Sequence, residues 1–196
     1  PVLLPRPPPP PTRCTSRRQR QMCIRDSGYL DQRIAEVIRD CDYAIHAGDI
    51  MGAHILEQLH PRKIVIAVAG NNDVAAIWNR NEADIVSALP KSTSLKLPGG
   101  TIRIEHGHRL GGFPDHDQLR WDHADVKMVV YGHTHKRVID QQAEPWIVNP
   151  GAVGKERTKG GPSCLILSAS KVEWTIETVL FADTENISEQ LIVNSE

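Results

Sequence analysis

The chain has 196 residues and a formal net charge of −1, a size that fits one ordinary domain with a substantial core. Its apolar runs fall short of the roughly 18 to 20 residues that a membrane helix needs, and the opening PVLLPRPPPPP lacks the apolar centre of a signal peptide. The cysteines show no C-x-x-C spacing, so neither a disulfide framework nor a zinc knuckle is indicated. Composition therefore predicts a soluble, cytoplasmic protein with no membrane partner and with buried or idle thiols.

Residues 1–27 differ from the rest of the chain. The proline run at residues 7–11 and the basic stretch after it have no period of 2 or 3.6 residues that could bury a face. Such a leader could be a nucleic-acid arm or a targeting peptide. However, RRQRQMCIRD (residues 17–26) back-translates as CGT CGG CAG CGT CAG ATG TGT ATA AGA GAC, which resembles the transposon adapter of DNA sequencing libraries. Our hypothesis is that residues 1–27 are a non-native or disordered leader, and sequencing the source gene across this junction tests it.

Leaving out the leader changes the charge balance. It removes six basic residues and one acidic residue, so 17 basic and 23 acidic residues remain and the net charge is about −6. This balance disfavours a general nucleic-acid-binding surface. We expect one domain over residues 28–180, followed by a strand or a loose tail over residues 181–196.

The first half of this domain alternates helix and strand. YLDQRIAEVIRD (residues 29–40) carries apolar residues at helical spacing, which predicts an amphipathic helix. CDYAIHAGD (residues 41–49) and KIVIAVAGNND (residues 63–73) are apolar runs that stop at glycine and polar residues, as buried strands do. GAHILEQLH (residues 52–60) is helix-like, so the order is strand, helix, strand.

The second half is richer in strands. STSLKLPGGTIRIEHGH (residues 92–108) alternates on both sides of Pro-Gly-Gly and predicts a β-hairpin. DHDQLRWDHA (residues 115–124) is a short helix candidate. Further strands are expected in VKMVVYGHTH (residues 126–135), PWIVNPGAV (residues 145–153) and PSCLILSASKVEWTIETV (residues 162–179).

Four strands in succession end in side chains that can bind a metal. Asp49, Asn71 and His106 follow the first three, and the pair His133 and His135 follows the fourth. Loops at the carboxyl ends of strands in open α/β sheets converge on one crevice, so we expect these side chains to meet. A mixed set of carboxylate, amide oxygen and imidazole suits Mn, Fe, Co, Ni or Zn. In GHTH the histidines stand two apart, so an extended backbone would point both to one side.

Each of these residues also has a plainer interpretation. Asp49 could be a turn residue or a helix cap, Asn71 could be a turn residue, and Asn149 in NPG belongs to a turn on any interpretation. His108 could form a hydrogen bond near the metals, and the other histidines are expected on the surface or in the core. Solvated surface charge is the expected role of the three basic residues that could otherwise contact a phosphate, Arg109, Lys136 and Arg157.

The motifs AGD, GNND, HGH and GHTH, in this order, resemble the calcineurin-like metallophosphoesterase superfamily. The short spacing and NPGAV resemble its small bacterial and archaeal phosphodiesterases. This resemblance covers residues 28–177 and implies an α/β fold in which two mixed β-sheets pack face to face with helices outside. It also implies a centre of two divalent metal ions, with manganese expected before Ni, Co, Fe or Zn. By the family pattern Asp49 bridges both ions, His135 belongs to one site, and the other site is completed by Asn71, His106 and His133.

One position departs from the family pattern. Many members have a histidine after the asparagine, usually taken as the proton donor to the leaving group, and here that position is Asn72. A carboxamide can orient a phosphate oxygen but is a poor general acid near neutral pH. The implied substrates are small phosphodiesters with good leaving groups, or activated phosphate bonds.

A second departure lies at the leader junction. In the family the first strand ends in Asp-x-His, commonly as D-T-H-G, and both residues ligate the metal site shared with His135. Aligning that glycine with Gly28 puts Ser27 at the histidine position and Arg25 at the aspartate position. Asp26 falls on the intervening residue, which faces the other side of a strand. We therefore expect this chain to lack its first native strand, to hold one metal at most and to turn over poorly, whereas the parent protein is a phosphodiesterase.

Two other functions remain open at this stage. A protein-binding scaffold could keep this fold without the chemistry, and an intact Asp-x-His in the parent gene would favour the enzyme over the scaffold. A nucleotide or nucleic-acid exonuclease is disfavoured by the acidic balance, and binding of single-stranded DNA in moderate salt would revive it. The physiological substrate, the metal in the cell and the oligomeric state are left open by the sequence.

Overall fold

The structure, a computed structural model, describes residues 32–152 and 163–181. The predicted leader, the Asp-x-His position at its junction and residues 182–196 of the predicted tail lie outside the described residues. Among the helices within those two ranges, none is long and apolar enough to cross a membrane.

The first half of the domain has the predicted order of strand, helix and strand. Its elements are α1 (Gln32–Arg39), β1 (Tyr43–His46), α2 (Ala53–Glu57) and β2 (Ile64–Ala67). β1 and β2 pair in parallel, with Tyr43 opposite Ile64. Ile34 of α1 is buried in one cluster with Ala44 and Leu59, so the apolar face predicted for this helix covers the strand pair.

A helix that the sequence analysis missed follows β2. A 3-10 turn at Arg80–Glu82 leads directly into α3 (Ala83–Ala88). The carboxylate of Glu82 accepts hydrogen bonds from the backbone N–H groups of Asn79 and Ala53, each at 3.2 Å. The first bond belongs to a capping box, so the spacing N-x-x-E in NRNE was the signal that could have identified this helix start. The second bond joins the turn to the start of α2.

A five-stranded sheet forms the centre of the domain. Its strands are β3 (Ser92–Leu97), β4 (Gly100–Glu105), β5 (Met128–Tyr131), β6 (Val138–Asp140) and β7 (Trp146–Asn149), in the spatial order β3-β4-β5-β7-β6. β3 and β4 form the predicted hairpin around Pro98 and Gly99, and Gly99 adopts a φ of 83° that favours glycine. β5 is parallel to β4 and to β7, whereas β6 is antiparallel to β7. The sheet is therefore mixed, and β6 is a strand that the sequence analysis did not predict.

The main apolar core lies between this sheet and two smaller strand pairs. Besides β1 and β2, an antiparallel hairpin of β8 (Ser163–Ala169) and β9 (Trp174–Leu180) contributes to it. Side chains from all three sheets share one cluster, among them Ile45, Ile66, Ile102, Ile104, Val130, Val148, Leu165 and Leu167. Two layers of strands therefore pack face to face, and the predicted α/β sandwich is confirmed. Within the described ranges the β1–β2 and β8–β9 pairs are separate sheets.

The opposite face of the five-stranded sheet is covered by α4 (His116–Asp122). Leu119 of this helix packs against Val129, Tyr131 and Ile147 in a second cluster. The helix begins after Asp115, whose carboxylate accepts a hydrogen bond from the backbone N–H of Asp117 at 2.9 Å. Both the predicted helix and its position outside the sheet are confirmed.

The two described cysteines are free thiols. Cys41 and Cys164 are half-buried, and burial raises the pKa of Cys164 to about 11. A thiol with this pKa is almost wholly protonated near neutral pH and is a poor nucleophile. Cys164 therefore agrees with the prediction of buried or idle thiols, while Cys14 and Cys23 lie outside the described residues.

Candidate metal centre

The predicted site residues lie in loops at the carboxyl ends of four strands. Asp49 follows β1, Asn71 follows β2, His106 comes directly after β4, and His133 comes two residues after β5. β1 and β2 are parallel, and so are β4 and β5, so that within each pair the two loops emerge at the same edge. The structure brings these four side chains together.

The amide oxygen of Asn71 is the centre of this cluster. It lies 3.1 Å from Nε2 of His106 and 3.0 Å from Nδ1 of His133. Nε2 of His106 also lies 3.4 Å from Oδ1 of Asp49. One carboxylate, one amide oxygen and two imidazole nitrogens therefore converge, although their residues are up to 84 positions apart in sequence.

A backbone carbonyl fixes the orientation of the His106 ring. Its Nδ1 lies 2.7 Å from the backbone carbonyl of Ala47, an acceptor that requires Nδ1 to carry the proton. In the neutral ring Nε2 then presents a lone pair to the oxygens of Asn71 and Asp49. Three lone-pair donors facing one another call for a cation between them or for a proton on Nε2. A histidine that donates its other N–H to a carbonyl is the usual arrangement of a metal-ligating imidazole.

The carboxylate of Asp49 is held by Asn72. The backbone N–H of Asn72 donates to Oδ1 at 3.0 Å, and its side-chain amide donates to Oδ2 at 2.9 Å. Burial alone would raise the pKa of Asp49, but the hydrogen bond and charge of His106 and the two bonds from Asn72 outweigh it and lower the pKa to about 2. Asp49 is therefore a carboxylate anion at neutral pH. The predicted action of Asn72 on a substrate phosphate stays a prediction.

Two glycines allow these loops to approach so closely. Gly48 has a φ of 96°, and a Cβ on it would lie 2.5 Å from Nδ1 of His106 and 2.8 Å from the backbone nitrogen of Gly70. A Cβ on Gly70 would overlap both the backbone nitrogen and the carboxylate of Asp49. The glycines of AGD and GNND are thus required by the packing of the first two loops.

The two imidazoles of the cluster have opposite pKa shifts. Burial lowers the pKa of His106 less than the hydrogen bond and charge of Asp49 raise it, so its pKa lies above the ordinary value. Burial, followed by the charge of His106, lowers the pKa of His133, and the charges of His108 and His135 act in the same direction. His133 is therefore a neutral nitrogen donor at neutral pH.

The backbone of GHTH differs from the extended strand that we predicted. His133 and His135 have φ values of 64° and 54°, in the left-handed region, and the N–H of Thr134 donates to the carbonyl of Gly132 at 2.7 Å. This bond makes His133 the central residue of a tight γ-turn, a strained conformation for a non-glycine residue that costs on the order of 1–3 kcal/mol. The prediction that an extended backbone directs both rings was wrong, because β5 ends at Tyr131 and a turn presents them instead.

A residue that the sequence analysis missed fixes the second loop. Asp73 is buried, and its carboxylate accepts hydrogen bonds from the backbone N–H of Gly70 at 2.8 Å, from that of Met51 at 3.0 Å and from Nε1 of Trp78 at 3.2 Å. It therefore joins the GNND loop to the loop that follows Asp49. Its position as the last residue of GNND was the available signal.

The remaining basic and histidine residues lie around the cluster in different ways. The ring of His108 is 5.3 Å from that of His106 and is exposed, so it stands beside the cluster as the sequence analysis allowed. Arg109 lies 2.6 Å from Asp122 and 3.2 Å from Glu105, which indicates a structural ion pair. Arg157 lies outside the described residues.

The residues present fit one divalent cation. The donors are oxygens and imidazole nitrogens, the carboxylate is ionised, and His106 has its second nitrogen engaged by a carbonyl. Within residues 32–152 and 163–181, no three side chains of His, Cys, Asp and Glu alone form a group that could hold a metal. A cation here would therefore rely on the Asn71 oxygen as well.

The pair Asp49–His106 predicts the pH dependence of the metal-free protein. Asp49 has a lowered folded pKa, so its contribution to stability is present above a pH of about 4 and is lost as the pH falls toward 2. His106 has a raised folded pKa, so its contribution is present below a pH of about 6.5 and is lost as the pH rises through the folded pKa. As the pH rises above about 6.5, urea titrations in EDTA should show that the free energy of unfolding falls more steeply for wild type than for His106→Gln. Parallel curves would contradict the pairing.

Comparison with known proteins identifies the class. Residues 24–171 match the calcineurin-like phosphoesterase superfamily domain. The match spans well over half of the chain, so the chain belongs to this superfamily.

Particular relatives are archaeal. A phosphodiesterase of Methanocaldococcus jannaschii is 26% identical over 152 residues, which cover 73% of this chain and 87% of that protein. A second protein of the same organism, named as a probable metallophosphoesterase, is 27% identical over 127 residues, which cover 63% of this chain and 59% of the relative. Among solved structures, wild-type Vps29 of Entamoeba histolytica complexed with Zn²⁺ has a TM-score of 0.59 at 18% identity, over 78% of this chain and 91% of that chain. This last likeness concerns the fold.

Proposed function

We propose that the chain is built for metal-dependent hydrolysis of phosphodiester bonds. Membership of the superfamily supports phosphoester hydrolysis in general, and the phosphodiesterase relative supports the narrower substrate class. The observation that carries the proposal is the convergence of Asp49, Asn71, His106 and His133 on one point at the strand ends.

In this proposal those four residues hold one divalent cation, with manganese as the expected metal. When bound, the cation supplies Lewis acidity that polarises the phosphoryl group and makes a water molecule more acidic. The anionic Asp49 offsets part of the cationic charge, and His106 is kept in the ligating tautomer by the carbonyl of Ala47. His135, which directly follows the tight turn at His133, is assigned to a second cation.

Asn72 takes part through Asp49. Its two hydrogen bonds fix both carboxylate oxygens, so the anion is oriented before a substrate arrives. It has no proton to give to a leaving group near neutral pH. The substrates that suit this site are therefore small phosphodiesters whose leaving groups depart as stable anions.

We further propose that activity in this chain is impaired. Residues 25–27 read Arg-Asp-Ser where the family pattern has Asp-x-His, and the family match begins at residue 24. A cationic side chain at the position of a carboxylate ligand would oppose a second cation by charge repulsion. One bound cation and slow turnover are the expected properties, and they distinguish this chain from a parent protein with both ligands.

The proposal is tested by initial rates on bis(p-nitrophenyl) phosphate with added Mn²⁺. We expect slow, Mn²⁺-dependent hydrolysis by the wild-type chain and a rate for His106→Ala that is lower by about a hundredfold or more. His60→Ala is the matched control, since His60 is exposed in the loop between α2 and β2. A rate that EDTA leaves unchanged, or equal rates for the two variants, would exclude this site as the source of activity.

A further inference from the structure

We propose that Asn149, together with a linked set of polar side chains from Tyr131, His116, Asp140 and Arg120, acts as a positioning network that holds His133 in its left-handed turn. The inference deepens the proposed function, on which it rests, because the turn directs the His133 ring to Asn71. None of these five residues was expected to act on the metal centre from the sequence, where Asn149 was read as a turn residue.

Asn149 contacts the turn directly. It is the last residue of β7 and is wholly buried. Its side-chain amide donates to the carbonyl of Gly132 at 2.7 Å and to the hydroxyl oxygen of Thr134 at 3.1 Å, so it joins the residues on either side of His133. The Gly132 carbonyl also accepts the N–H of Thr134, at 2.7 Å. Both lone pairs of this carbonyl are therefore used to close the turn.

Asn149 is itself held in one orientation. Its side-chain oxygen accepts the backbone N–H of Gly151 at 2.9 Å, which determines which end of the amide faces the turn. Gly151 has a φ of 84°, and a Cβ on it would lie 2.8 Å from the hydroxyl oxygen of Ser163. The NPG turn thus presents the amide N–H groups of Asn149 to the GHTH loop.

Tyr131 connects the turn to the outer face of the sheet. Its hydroxyl lies 3.1 Å from Nε2 of His116, and its backbone directly precedes Gly132, whose carbonyl accepts the Asn149 amide. Tyr131 is buried, so its hydroxyl depends on His116 rather than on water. Tyr131 therefore joins His116 to the first residue of the turn, Gly132.

His116 and its partners form the end of the network that is farthest from the turn. Nδ1 of His116 lies 3.1 Å from Oδ2 of Asp140, and the guanidinium of Arg120 lies 2.6 Å from the same oxygen. Arg120 and Asp140 have side chains only 16% and 19% exposed, so this ion pair is shielded from solvent. Helix α4 and strand β6 are in this way joined to the loop that carries His133.

The network can be tested because it would act on His133 only through the turn. Nδ1 of His133 lies 3.0 Å from the amide oxygen of Asn71, and this orientation depends on the backbone conformation of the turn. If the network holds the turn, removal of the Tyr131 hydroxyl should loosen it although no ligand is touched. Mutation of residues that orient the ligands of a metal typically changes the affinity for that metal by about 10- to 100-fold.

The test uses the full chain with Tyr131→Phe and Asn149→Ala. The control is Trp174→Phe, which removes a partly buried hydrogen bond from Nε1 to the carbonyl of Pro98 at 2.8 Å, at the hairpin of β3 and β4. Hydrogen exchange of the Thr134 amide in metal-free protein reports on the turn, and calorimetric titration with Mn²⁺ reports on the site. We expect both network variants to exchange this amide faster and to bind Mn²⁺ about tenfold more weakly, while the control changes neither.

The outcomes separate the two proposals. If Tyr131→Phe leaves Thr134 exchange and Mn²⁺ affinity unchanged, as Trp174→Phe is expected to do, the positioning network is excluded. If the wild-type chain binds no Mn²⁺ but the network variants still lose protection at Thr134, the proposed function fails and the role of the network in the turn stands. Should Asn149→Ala fail to fold, Tyr131→Phe decides alone, because it removes a single oxygen atom.

Discussion

The double variant Arg25→Asp/Ser27→His is expected to raise the kcat/KM for a chromogenic phosphodiester by at least about a hundredfold in Mn²⁺. These substitutions supply the Asp-x-His pattern before Gly28 that the superfamily resemblance implies. The physical reason is that a second cation is worth several kcal/mol of charge stabilisation in the transition state. Initial rates and the number of Mn²⁺ ions bound per chain measure the effect, and we expect that number to rise from one to two.

A matched control places the same pattern elsewhere in the leader. Arg17→Asp/Gln19→His creates Asp-Arg-His there and changes the formal charge by the same −2, but it lies away from the predicted position. It should leave both the rate and the metal content unchanged. Equal gains in the two double variants would show that charge alone matters. If neither gains while both bind Mn²⁺ as the wild type does, the scaffold function becomes the better explanation of the fold.

Gly70→Ala is expected to reduce Mn²⁺ affinity by about a hundredfold and to destabilise the chain by about 1–3 kcal/mol. The new Cβ would overlap the backbone nitrogen and carboxylate of Asp49, so either the GNND loop or the AGD loop must move. The carboxylate of Asp49 and the amide oxygen of Asn71 would then no longer converge on one position. Titration calorimetry gives the affinity, and urea unfolding gives the stability.

Gly112→Ala is the control for this substitution. No atom lies within 4 Å of a Cβ at Gly112, so the added methyl group meets open space. This variant should bind Mn²⁺ as the wild type does. An affinity for Gly70→Ala equal to that of Gly112→Ala would show that the contact between the two loops does not determine the site.

The strand framework and the convergence of the loops could be predicted because they depend on local patterns. Continuous apolar runs that stop at glycine and polar residues predicted β1, β2 and β5. Parallel pairing brings the carboxyl ends of β1 and β2 to one edge of their sheet, and does the same for β4 and β5. Asp49, Asn71 and His106 were found in this way from sequence order alone. The amphipathic character of α1 followed from its apolar spacing, and α4 was predicted only as a short helix.

The details of the site depended on contacts that no local pattern carries. The left-handed backbone of His133 is closed by Asn149, which lies 16 residues further along the chain and looked like an ordinary turn residue. Asp73 was passed over for a similar reason, since its partners Met51 and Trp78 come from other parts of the fold. Arg109 has carboxylate partners that only the folded sheet and helix bring near it. Non-local hydrogen bonds therefore account for most of what the sequence left open.

The most direct test of the metal centre is calorimetric titration of the metal-free chain with Mn²⁺ near neutral pH, beside His106→Ala. The four converging donors predict one Mn²⁺ per wild-type chain and loss of that binding in the variant. A wild-type chain that binds no Mn²⁺, or a variant with the same isotherm, would contradict the assignment of Asp49, Asn71, His106 and His133 as a cation site.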